Sequence, residues 1–381
     1  MSTMEQRVSK NEQGFAAIIV TIILLIVLSL ITTGFAAQMR KEQRAALDNQ
    51  LSTQAYYAAE SGVNDYAQQI KKYLTNNTPP TEVTALASYF GDINVTSCNG
   101  VPGGPVYSGM SVTPLASGVK YTCVLVNATP TALQYGSVGP SSQVIPVTAL
   151  DSDGNPIKLS KLTISWQPTV NTSGSTPTAN CPSSGGIRSF PDANNWSCPF
   201  GVLRVDLVPT AGSLFSLPGL QADTMTSYFV PTKAGVAGGS ISYTGSAKNQ
   251  YYFSSANQGA VAAAKCTDGT GGNTASCSMD ITGLSQSSYY LRVSSIYYKA
   301  AVNVEGFTAG SDSPLELSGA QVLIDSTGLA QDVLRRIQVR IPVNAAAGGD
   351  GFNAAIQSSE SLCKQFQVAP PAYKANGPDG C

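Results

Sequence analysis

The hydrophobic pattern changes character twice along the chain. Residues 1–14 are polar and mixed in charge, with Glu5, Arg7, Lys10 and Glu12. The run Phe15–Ala37 then carries no charge at all, and none appears between Glu12 and Arg40. At ~1.5 Å per residue it covers roughly 35 Å as a helix, enough to cross a hydrocarbon core of about 30 Å. From Gln38 to Leu74 there is no proline and one glycine, Gly62. Leu47, Leu51, Ala55, Ala58 or Ala59, Gly62, Tyr66, Ile70 and Leu74 recur at spacings of three or four, the stripe of an amphipathic helix. The pattern therefore predicts one helix over Phe15–Leu74, roughly 90 Å long. It ends at Asn76-Asn77-Thr78-Pro79-Pro80, where proline removes a donor and restricts the residue before it.

Beyond residue 80 the period becomes two. Val119, Tyr121, Cys123 and Leu125 alternate with Lys120, Thr122, Val124 and Val126. Leu162, Ile164 and Trp166, then Leu203, Val205 and Leu207, then Ile337, Val339, Ile341 and Val343 repeat the alternation. Such alternation predicts half-buried strands of an antiparallel sheet. Tyr289–Tyr298 is a further strand, rich in aromatics. Asp151–Asn155 and Ser326-Thr327-Gly328 read as hairpin turns. Short helices are expected only near Thr81–Tyr89 and Phe352–Cys363. The polar stretch 168–186 is either a domain linker or a long loop in one head. The fold class is α+β: a long N-terminal transmembrane and amphipathic helix, then a β-rich, mainly antiparallel, disulfide-bonded head.

Composition narrows the chemistry. Of 381 residues, only 12% are charged, against about 25% in ordinary soluble domains. Lys plus Arg total 22 and Asp plus Glu 23, a formal net charge of −1, so a nucleic-acid partner has no electrostatic support. There is no histidine, which removes Ser-His-Asp and Cys-His catalysis and most zinc sites. Carboxylate-pair chemistry survives that exclusion, but no pair stands at a telling spacing. The expectation is a non-enzyme that carries no cofactor.

The eight cysteines, Cys98, Cys123, Cys181, Cys198, Cys266, Cys277, Cys363 and Cys381, all follow the apolar run. An even number on one side of a membrane span indicates structural disulfides in an oxidising compartment. Their connectivity is open among 105 pairings, and sequential pairing would close four short loops. Metal ligation is the competing account, though no Cys-x-x-Cys pair exists. Arg7 and Lys10 before the span, against Arg40, Lys41 and Arg44 after it, leave the positive-inside rule undecided. The cysteines place the C-terminal side outside. A signal-peptidase cut after Ala36, with Gly34 three positions before it, would instead make a secreted protein.

Local motifs have ordinary explanations. Asp151, Asp153 and Asn155 share the alternating oxygen spacing of a calcium loop, but Gly154 comes too early and no closing Glu follows. The segment between Cys266 and Cys277 is glycine-rich but lacks the lysine of a phosphate loop, and reads as a closed surface loop. Arg335, Arg336 and Arg340 suggest an anion site or, more simply, a solvated strand face.

Three elements together carry a family resemblance: Gln13-Gly14-Phe15, the charge-free run after it, and Tyr57-Ala58-Ala59-Glu60-Ser61-Gly62 about forty residues on. Over roughly residues 10–75 the chain resembles the type IV pilin family, most closely its PilX-type minor pilins. The resemblance implies a leader at 1–14, a transmembrane segment at 15–37, its helical continuation at 38–75, an exported head at 81–345 and a C-terminal tail at 346–381. It implies cleavage between Gly14 and Phe15 by a prepilin peptidase of the bacterial cytoplasmic membrane, with N-methylation of Phe15. It also implies partners: membrane lipid, the inner-membrane assembly machinery and other pilin subunits packed through the helix. A disulfide between Cys363 and Cys381, closing the C-terminal tail, resembles a family feature.

The fifth residue after the junction is Ile19, where major pilins carry Glu. Pilin-like proteins lacking that Glu include ones thought to start or cap filaments, so a minor or tip-associated subunit is expected. A type II secretion pseudopilin and a signal-anchored surface protein or hydrolase are the alternatives. Glu60 and Gly34 are expected to be, respectively, a solvated helix residue and a small residue that locally loosens the helix or does nothing.

Overall fold

The computed structural model describes residues 12–76, 89–98, 115, 118–151, 153–169, 177–183, 191–210, 223–236, 238–243, 261–269 and 274–343, with side chains from residue 17 onward. The expected helix over 352–363, most of that near 81–89, the tail 346–381, and Cys363 and Cys381 lie outside the described residues.

A single helix, α1, runs from Glu12 to Asn76, 65 residues and roughly 98 Å. It covers the whole of the expected Phe15–Leu74 span. By its internal contacts the chain divides into two units. The first comprises residues 1–73, 95–126 and 324–339; the second comprises 74–94, 127–323 and 340–381.

In the first unit, α1 packs on strands of a three-stranded sheet. Its order is β1 (Val119–Asn127), β14 (Gln321–Ala330), β15 (Val333–Pro342). Gln331 and Asp332 join β14 to β15, and Gln331 takes the left-handed conformation that a two-residue hairpin demands. The turn therefore lies there and not at Ser326-Thr327-Gly328, which sits inside β14. The glycine in that triplet marks close approach of a neighbouring backbone, not a reversal. In β1 the buried side chains are Tyr121, Val124 and Val126, while Cys123 and Leu125 are only half-buried. The alternation shifts phase after Tyr121, beside Cys123, whose sulfur is tied to Cys98.

The second unit is a β-sandwich with one hydrophobic core. One sheet has the order β2 (Ala132–Val138), β12 (Ala300–Phe307), β4 (Lys161–Pro168), β10 (Ser276–Thr282), β7 (Ser240–Ser242), with β9 (Lys265–Thr267) also on β10. The other has the order β13 (Glu316–Ser318), β3 (Gln143–Leu150), β11 (Ser288–Ile296), β5 (Val202–Pro209), β6 (Met225–Val230), β8 (Val261–Ala263). Pairing is antiparallel except for β7 on β10 and β8 on β6. The alternating residues do what period two requires. Leu162, Ile164 and Trp166 from one sheet meet Leu203, Val205 and Leu207 from the other in the same core.

Residues on both sides of 168–186 feed that core, so the strands flanking the stretch belong to one unit. The Asp151–Asn155 turn is present: the Asp151 carboxylate accepts hydrogen bonds from the backbone N–H of Asp153 and Asn155. It joins β3 to β4, which belong to different sheets, so it is not the hairpin of a paired strand couple. The strand expected over Tyr289–Tyr298 stops at Ile296, because Tyr297 turns the chain with φ +73°.

Three disulfides pair sequential cysteines: Cys98–Cys123, Cys181–Cys198 and Cys266–Cys277. No described cysteine is free, and metal ligation by these six is ruled out. Cys266 and Cys277 face each other across the antiparallel β9–β10 pair.

Candidate functional site: the two halves of the N-terminal helix

The N-terminal half of α1 has no partner within the described chain. Every residue from 17 to 50 is exposed, including Leu25, Leu30 and Phe35, each about two-thirds accessible. Among the described residues this is the one helix long and apolar enough to cross a membrane. The three threonine hydroxyls of the span are spent internally. Thr21 donates to the Ile18 carbonyl at 2.8 Å, Thr32 to Ser29 at 3.0 Å and Thr33 to Ser29 at 2.7 Å. With its i−3 and i−4 carbonyls used this way, no threonine side chain of the span needs water or a neighbour. Gly34 has open space around it among the described residues. At the end of the span Gln38 donates to the Glu42 carboxylate at 3.2 Å, among the first charges after Ala37.

The Gly14–Phe15 junction lies within α1, close to where its described residues begin.

The C-terminal half is built differently. Ala55, Ala58, Ala59, Gly62, Val63, Tyr66 and Ile70 are buried, at the spacing of one helical face. The expected stripe is right from Ala55 to Ile70 and too long at both ends: Leu47 is 57% exposed, and Leu51 and Leu74 are only half-buried. Small side chains let the sheet come to the helix backbone. A Cβ added at Gly328 of β14 would collide with the Ala55 carbonyl and the Ala59 amide, and would stand 3.0 Å from the Ala58 carbonyl carbon. A Cβ on Gly62 would strike the Ser326 hydroxyl and lie 3.1 Å from both Tyr121 and Val124. The Ala58-Ala59-Glu60-Ser61-Gly62 element is therefore a packing seam. Its acidic member, Glu60, points away and is exposed, as expected for a solvated residue.

Polar contacts fasten the same seam. Arg335 of β15 donates to the Ser52 hydroxyl of α1 at 2.8 Å. Tyr121 is hydrogen-bonded to Asp65 of α1, and its hydroxyl pKa is pushed up to about 12, first by burial and then by the Asp65 charge. Burial likewise raises Tyr66. Arg336 grips the buried Asp325 carboxylate through two nitrogens, the Nε–Oδ1 bond measuring 2.6 Å. In the second unit, Arg340 donates to the Ala132 carbonyl at 2.7 Å. All three arginines thus have protein partners, so an anion site is not supported, while Arg335 and Arg336 stay exposed and bear out the solvated-face reading.

Sequence reasoning missed Val63, Ser326, Gly328 and the Asp325–Arg336 pair. Gly328 left a signal, a glycine inside an otherwise apolar strand pattern. Asp325 left none, because the partner that permits its burial is eleven residues away across a hairpin.

Among the described residues no group of three or more His, Cys, Asp or Glu could hold a metal ion. Comparison with protein-family models, with curated proteins and with solved structures finds no match to this chain. The reading of α1 rests on its own residues and packing.

Proposed function

We propose that this chain is a structural subunit of the type IV pilin class, held in a bacterial cytoplasmic membrane with its C-terminal head outside before it joins a filament at the cell surface. The observation that carries the reading is the division of α1. Its C-terminal half is already satisfied by β1 and β14, while its N-terminal half presents a bare apolar rod. Such a rod requires a medium or partners of its own, and lipid followed by neighbouring helices supplies both. Ile19, apolar and exposed, offers no carboxylate for a neighbour's terminal amine. This favours a minor subunit that starts, caps or helps assemble the fibre, with adhesion by the head as an extension. The subunit works by packing and has no catalytic role.

N-terminal mass spectrometry of the mature protein tests the proposal. The expected product begins at an N-methylated Phe15. A chain beginning at Gln13 or earlier would be a plain anchor, and one beginning at Ala37 an ordinary secreted protein. Either result overturns the assignment.

A further inference from the structure

The second unit carries a cavity of about 570 Å³ that the helix does not use. It lies over the Cys181–Cys198 disulfide, with Asn180, Asn195, Trp196 and Lys233 in its wall. The volume is that of a small-molecule site.

Its wall is fixed from several directions. Lys233 N–H donates to the Pro182 carbonyl at 2.9 Å, and the Ser197 hydroxyl to the Asn180 carbonyl at 3.1 Å. Thr178, fully buried, accepts from Ala234 N–H at 3.0 Å and donates its own N–H to Asp268 at 2.7 Å. Trp196 donates its indole N–H to the Phe200 carbonyl at 2.9 Å and stacks on Tyr297, ring centroids 4.6 Å apart. Tyr297 in turn donates to the Pro191 carbonyl at 2.6 Å. Its φ of +73° is a strained value for a bulky residue, held by this stack and hydrogen bond. A covalently closed, hydrogen-bonded wall loses little freedom when a ligand enters.

The chemistry of the lining is one-sided. Among the described residues, the Asn180 and Asn195 side-chain amides and the Lys233 ammonium have no protein partner, and no carboxylate lines the cavity. Amides offer a donor and an acceptor side by side, the complement of neighbouring hydroxyls on a sugar ring. A lone ammonium in an otherwise neutral wall selects a single negative charge. We infer that this cavity binds a carboxylated saccharide, with Lys233 meeting the carboxylate and Asn180 and Asn195 meeting ring hydroxyls. The inference is independent of how α1 is used.

The test is tryptophan fluorescence of the full chain in detergent micelles. Trp196 and Trp166 are its only two tryptophans. Both are buried, but Trp196 lines the cavity and Trp166 does not, so the responsive emission is that of Trp196. The probes are a hyaluronan tetrasaccharide, which alternates glucuronate with N-acetylglucosamine, and neutral chitotetraose. Saturable quenching by the charged probe is expected, with chitotetraose at least ten-fold weaker. Lys233→Gln, on an exposed loop, is expected to weaken the charged probe at least ten-fold with an unchanged melting curve. No saturable response to hyaluronan tetrasaccharide, equal affinity for chitotetraose, or undiminished binding by the folded K233Q protein would overturn the inference. So would equal affinity for a tetraglutamate peptide, which carries the charge without the sugar.

Discussion

One continuous helix solves two burial problems in opposite ways. From residue 17 to 37 it is lined with Ile, Leu, Val and Phe, from 38 to 50 mostly with polar residues, and nothing in the described chain covers either stretch. From Ala55 to Ile70 it turns alanines, a glycine and a few larger side chains to a sheet and is buried. Large side chains suit a helix that must present apolar surface to lipid or to other helices. Small ones suit a helix whose partner is already in the same chain, because they allow backbone to approach backbone. The contrast separates what this molecule has completed by folding from what it leaves for its surroundings.

Changing each half should therefore fail in a different assay. The largest effect is expected from Leu24→Arg. A charge at mid-span costs about 2.5–3.5 kcal/mol on insertion scales, roughly a hundred-fold in partition. Membrane fractionation should show the loss, while the purified head, oxidised in vitro, keeps its melting temperature. A protein that stays equally membrane-bound would mean the exposed half is not an insertion segment.

Gly328→Ala should come next, and should leave insertion intact. The new methyl meets helix backbone, which cannot swing aside, so a loss near the top of the overpacking range, about 3 kcal/mol, is expected in denaturant unfolding of the first unit. Unaltered stability would show that the seam is loose.

The same seam should respond to alkali. Tyr121 titrates at about 12 in the folded chain against 10.0 when free. The folded state therefore retains a proton that the unfolded state has lost between those values. The Tyr121 contribution to stability is constant below pH 10 and falls as pH rises from 10 to 12. Tyr121→Phe should flatten that part of the profile, and an unchanged slope would assign it to other tyrosines.

A smaller effect, of opposite sign, is expected at Ser326. Its hydroxyl is buried with no hydrogen-bond partner beside Gly62. Ser326→Ala removes that unmet group and should stabilise the first unit by about 1 kcal/mol in the same denaturant assay. Glu60→Gln, on the exposed face, should change stability by less than about 0.5 kcal/mol. A larger shift would give the acidic residue of the motif a role within this chain.

Local pattern fixed much of this architecture. The apolar run, the buried stripe from Ala55 to Ile70 and the inward-facing residues of β4 and β5 are periodic, and periodicity is a property of neighbouring residues along the chain. Even cysteine content on one side of the span announced disulfides, and three of them proved to be sequential pairs. Where the pattern misled, a distant residue had intervened. Ser326-Thr327-Gly328 has turn chemistry but lies flat against α1, and Leu47 has core chemistry but nothing to cover it. Arg335 and Arg336 are solvated as the pattern expects, but the partners of the β15 arginines were hidden because Ser52, Asp325 and Ala132 are remote in sequence or across a hairpin.

The sequence by itself determined which segments are helix and strand, and which residues are too apolar to face water. Only the tertiary structure decided which of those apolar faces find a partner inside the chain. The same holds for the Cys181–Cys198 cavity, whose wall draws on residues from 178 to 297. The reason is physical: local propensity acts over a few bonds, whereas burial is settled by whichever surface arrives from elsewhere in the fold.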